Sequence, residues 1–77
     1  MTLRIISSTD TLFDGEVTSV TLPGAKGSFM VLQNHASLVS TLVAGKIVYV
    51  VDDAPVEIEV SGGLVDVDNN VVSVCIF

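Results

Sequence analysis

In Val56-Glu57-Ile58-Glu59-Val60 apolar and acidic residues alternate without a break. Successive side chains of a strand point to opposite faces, so this period of two puts the aliphatic groups on one side and the carboxylates on the other. The segment reads as a half-buried antiparallel strand. Ile47-Val48-Tyr49-Val50-Val51, just before it, is apolar throughout, the pattern of a strand covered on both faces. Asp52-Asp53-Ala54-Pro55 between them has turn chemistry, which makes the two a hairpin. Leu64 to Asp68 and Val71 to Ile76 form a second hairpin through Asn69-Asn70, because asparagine tolerates the left-handed conformation of a tight turn.

Upstream, Leu3 to Ser7, Val17 to Leu22, Phe29 to Leu32 and Leu38 to Leu42 read as further strands. Their separators are Asp14-Gly15, Pro23-Gly24-Ala25-Lys26-Gly27 and Gln33-Asn34-His35. No window keeps apolar residues at helical spacing. The expected fold class is all-β: a flattened sandwich or barrel of two mixed-to-antiparallel sheets, with roughly eight to ten short strands.

Length narrows this to a single domain over residues 1–77. At 8.1 kDa, scaling laws give about 4,500 Å² of folded surface against about 11,700 Å² for the extended chain. So thin a core contrasts with 49% hydrophobic residues and only 16% charged ones. The surplus predicts an apolar surface meant for a partner. Three basic against nine acidic residues, a formal charge of −6, argue against nucleic-acid phosphate and anionic lipid as direct ligands. The lone Cys75 cannot form an internal disulfide, which fits a reducing compartment, and no secretion signal or membrane span is read.

Catalytic chemistry finds little to work with. His35 is the single residue that titrates near neutrality unaided, and no nucleophile motif accompanies it, so it reads as a loop histidine. One His and one Cys far apart do not make a metal site. The acidic pairs Glu57/Glu59 and Asp66/Asp68 read as solvated strand faces. Gly24-Ala25-Lys26-Gly27-Ser28 lacks the spacing of a phosphate loop and has no helix behind it, so it reads as a tight turn. Ser61-Gly62-Gly63 marks a bulge or a close backbone approach, and Cys75 reads as a small buried hydrophobe. Lys46, after Gly45, is the one lysine a lipoyl- or biotinyl-type carrier domain could use, and it lacks the acidic or methionine neighbours of such lysines. The expectation is no catalytic residue, no metal and no cofactor.

Several separated blocks together resemble a known family. They are Leu12-Phe13-Asp14-Gly15-Glu16-Val17, Val20 to Phe29, Val31 to Val39, Leu42-Val43-Ala44-Gly45-Lys46-Ile47 and Val60 to Val67. In this order they resemble the amino-terminal domain of the epsilon subunit of bacterial F-type ATP synthases, called delta in mitochondria. The resemblance implies a β-sandwich at the foot of the central stalk, a rotor part that couples proton transport to ATP synthesis without catalysis of its own. Its implied partners are the gamma subunit and the c-ring, and it is not a homo-oligomer in function. Its implied location is the cytoplasmic face of the inner membrane, as a peripheral subunit held there through the complex. Carried onto this sequence, Gly27, Ser28, Asn34, His35 and Ala36 are the expected c-ring contact, and Leu38, Val39, Leu42 and Val43 the expected gamma contact. The family commonly has an acidic residue near Ser28 and a proline at Ser37. It also usually continues into two helices, which restrain ATP hydrolysis and in some members bind ATP. Residues 1–77 correspond to the sandwich alone, so neither property is expected of them.

Overall fold

The computed structural model describes every residue, Met1–Phe77, as nine strands without a helix. These are β1 (Thr2–Ile6), β2 (Thr11–Glu16), β3 (Ser19–Gly24), β4 (Gly27–Leu32), β5 (Leu38–Leu42), β6 (Gly45–Val51), β7 (Ala54–Val60), β8 (Gly63–Asp68) and β9 (Val71–Ile76). Hydrogen bonding links them in the order β2-β1-β9-β8-β5-β3-β6-β7, with β4 beside β3. The join of β5 to β3 rests on a single register pair, Gly24↔Leu42. There the ladder folds over, and its two lobes, β2-β1-β9-β8-β5 and β4-β3-β6-β7, close on each other as a sandwich. Only β1 and β9 run parallel; every other pairing is antiparallel.

Alternation decides what lies between the lobes. Leu3 and Ile5 of β1, Val65 and Val67 of β8, and Val72 and Val74 of β9 are sealed from solvent on one side. Val20, Leu22, Val31 and Ile47 meet them from the other lobe. The rings of Phe13 (β2) and Tyr49 (β6) tilt against each other with centroids 4.4 Å apart, tying the lobes together. Solvent-accessible surface is 4487 Å², the value that size alone leads one to expect.

Both expected hairpins form, through turns of the same kind. Asp52 and Asp53 have φ of 50° and 63°, and Asn69 and Asn70 have 49° and 61°. Two consecutive left-handed residues between paired strands make type I′ turns, whose twist matches that of the flanking strands. Ala54 and Pro55 belong to β7 rather than to the turn. Pro55 is tolerated there because β7 is an edge strand, where the missing N–H breaks no ladder.

The structure corrects three further readings. Asp14-Gly15 is no separator: both residues lie inside β2, paired to Arg4 and Leu3. Ile47–Val51 is not covered on both faces. Ile47 and Tyr49 are buried while Val48 and Val50 are half-buried, shielded on the outer face only by neighbouring strands. Cys75 is exposed, because the alternation that buries Val72 and Val74 turns it outward. Lys46 lies within β6 with its Nζ 3.4 Å from Glu57.

Candidate docking surfaces

The connections gather at two ends of the sandwich. One end carries the turns after β2, β4, β6 and β8; the opposite end carries those after β1, β3, β5 and β7. This arrangement divides the residues expected to form one c-ring surface. Gly27 and Ser28 open β4, whereas Asn34, His35 and Ala36 follow its far end. From Ser28 to Asn34, at about 3.3 Å per residue, the separation is roughly 20 Å. The two groups occupy opposite ends of the molecule.

At the Lys26 end, Ala25 and Lys26 form the two-residue tip between β3 and β4, closed by the pair Gly24↔Gly27. Gly27 has φ of 124°, a conformation that a side chain would strain. The Ala25 N–H donates to the Thr41 carbonyl at 3.0 Å, and the Val43 N–H to the Pro23 carbonyl at 2.9 Å. The tip is thereby fixed against the end of β5. Lys26 is exposed and makes no ion pair, unlike Arg4 with Asp14 or Lys46 with Glu57.

The Asn34 end is built from polar cross-links that sequence reasoning missed. Asn34 (φ 63°) donates its backbone N–H to Asn70 Oδ1, and Asn70 Nδ2 donates back to Asn34 Oδ1 at 2.8 Å. Ser37 Oγ donates to Asp68 at 2.8 Å. His35 is half-buried, and its Nδ1 donates to the Ala36 carbonyl at 2.7 Å. The Met1 ammonium donates to Glu16 Oε2 at 3.1 Å and to Gln33 Oε1 at 3.0 Å, while Thr2 Oγ1 donates to Glu16 Oε1 at 2.6 Å. These donors, the threonine hydroxyl foremost, hold the Glu16 carboxyl below its ordinary value of 4.5. The frequency of asparagine in turns was the available signal, but it speaks for left-handed backbone, not for which turns touch.

The expected gamma contact is also divided, by the two faces of β5. Leu42 is 6% exposed and belongs to the core, and Leu38 packs against it. Val39, at 76% exposed, and Val43, at 47%, face outward. Val39 borders a shallow groove of about 320 Å³ floored by Ile6, Leu64 and Cys75, with Arg4 and Asp66 on its rim. No three His, Cys, Asp or Glu side chains are grouped to hold a metal.

The fold defines a small β-sandwich domain that leaves several apolar side chains exposed. The family described as the ATP synthase delta/epsilon chain β-sandwich domain matches residues 1–76; the chain belongs to it. It is 38% identical over 74 residues to the ATP synthase epsilon chain of Leptospira borgpetersenii, covering 96% of this chain and 58% of that one. It is 44% identical over 69 residues to the epsilon chain of Sulfurovum sp., covering 88% and 54% respectively. The chain therefore spans little more than half the length of these curated relatives. A chain in the cryo-EM structure of the Euglena gracilis mitochondrial ATP synthase (OSCP/F1/c-ring) superposes with a TM-score of 0.89 at 22% identity, over 96% of this chain and 48% of that one. One in the central stalk/c-ring structure of the Tetrahymena thermophila enzyme gives 0.82 at 15%, over 99% and 62%. At these identities the likeness is one of fold.

Proposed function

We propose that residues 1–77 act as a non-catalytic rotor component of an F-type ATP synthase, joining the gamma subunit to the c-ring and so coupling ion transport to ATP synthesis. The observation that carries this reading is the family match over almost the entire chain, on a surface that leaves Val39 and Val43 uncovered. In this role Val39 and Val43 meet gamma, while Leu38 and Leu42 support them from the core. The Lys26 end, with Gly27 and Ser28, rests on the polar loops of the ring. Asn34, His35 and Ala36, at the other end, stabilise the sandwich and leave the ring contact to the first group. The domain sits at the cytoplasmic face of the inner membrane through the complex. Helix-based restraint of ATP hydrolysis is not part of the role proposed for these residues.

The test is proton pumping driven by ATP hydrolysis in the isolated complex depleted of this chain. Added wild-type chain should restore pumping per ATP hydrolysed, and V39K/V43K should restore it poorly. Failure of the wild-type chain both to restore pumping and to co-elute with the cognate gamma subunit would refute the rotor reading.

A further inference from the structure

Three strands, β2, β4 and β7, have a hydrogen-bonded neighbour on one side only, and β5 meets its second neighbour, β3, through Leu42 alone. Such edges invite another chain to pair, and soluble proteins ordinarily blunt them with charge, proline or irregular register. Two of the three are blunted in these ways. β2 carries Asp14 and Glu16, and its ladder with β1 shifts register between Ile5 and Ile6. β7 carries Pro55, Glu57 and Glu59.

β4 has none of these devices. Gly27-Ser28-Phe29-Met30-Val31-Leu32 contains neither charge nor proline, and its register with β3 is unbroken from Gly27 to Leu32. Beyond that ladder its one backbone bond is the Leu32 carbonyl accepting from the His35 N–H at 3.2 Å. Because an antiparallel strand with one neighbour directs half of its backbone groups away from it, a row of donors and acceptors stands open along β4. Beside that row, at successive outward positions, Met30 is 55% and Leu32 53% exposed.

We infer that β4 is an open pairing edge that takes an extended segment of the gamma subunit as an added strand. This rests on the rotor reading and adds a contact separate from Val39 and Val43. The open backbone row fixes the shape of the occupant, since only an extended polypeptide satisfies alternating N–H and C=O groups. Met30 and Leu32 fix its side chains, apolar at the alternate positions that fall beside them. The net charge of −6 disfavours a second copy of this chain and favours a neutral or basic segment.

The test is amide hydrogen exchange of the full chain with and without purified cognate gamma subunit, together with the affinities of M30K and L32K. Both side chains are outward and half exposed, and thermal melts of each variant check that it remains folded. Binding is expected to slow exchange of the outward β4 amides at least about tenfold and each lysine to weaken Kd about tenfold or more. Unchanged β4 exchange with undiminished binding of folded variants would overturn the proposal and leave the rotor reading standing. Wild-type chain that does not bind gamma would remove both. Protection of β4 that rises with the chain's own concentration, without gamma, would assign the edge to a second copy and overturn the proposal as well.

Discussion

Asn70 does two jobs in one side chain: it sits at φ of 61° in a type I′ turn, and its amide exchanges hydrogen bonds with Asn34. Alanine strains the turn and removes the bridge together, so N70A should lower unfolding free energy by about 2 kcal/mol. Glycine keeps the backbone conformation, so N70G should cost only about 1 kcal/mol; denaturant titration of both separates the contributions. Glu16 governs a different response. Its carboxyl is held below 4.5 by the Thr2 hydroxyl and the Met1 ammonium, so its contribution to stability is present above that value and is lost as pH falls through the lower folded-state value. Melting temperatures of wild type and E16Q should therefore converge in that acidic window and stay apart at neutral pH.

At the level of elements, close approach between strands sets the tolerance for substitution. A Cβ added at Gly63 would collide with the Cys75 carbonyl oxygen and come within 3.1 Å of Ile76 Cα. Neither backbone atom can move without breaking the β8–β9 ladder, so G63A should cost about 3 kcal/mol by chemical denaturation. The sequence carried a signal here, since paired glycines between strands mark such an approach. The hairpins of β6–β7 and β8–β9 were legible too, because their faces alternate and their turn residues tolerate left-handed φ. β2 was not: Thr11–Glu16 mixes apolar and acidic residues with a glycine, and its strand state comes from pairing with β1 rather than from its own pattern. For the candidate site, alternation along β5 already separates Val39 from Leu38 and Leu42. The division of the residues expected to meet the ring was hidden in the sequence, because residues close together there stand at opposite ends of one strand.

For the molecule as a whole, acidic charge is spread over both ends. Lys26 and Lys46 lie at one end together with Asp10 and Glu59, the register partner of Lys46, whereas Glu16, Asp52, Asp53 and Asp68 lie toward the other. A body with a formal charge of −6 should be steered toward a basic partner, and its association rate with gamma should fall as salt rises from about 0.05 to 0.5 M. Stopped-flow kinetics that are flat with salt would contradict this. The pairing of β1 with β9 carries a different consequence, for synthesis. Residues 2–6 find their second neighbour only at residues 71–75, so on the ribosome the opening β1–β2 hairpin has to wait for almost the whole domain to emerge. Vectorial folding, one hairpin settling before the next appears, is thereby denied to this topology. The sandwich should assemble late and in one cooperative step, with its earliest strands exposed to chaperones in the interval.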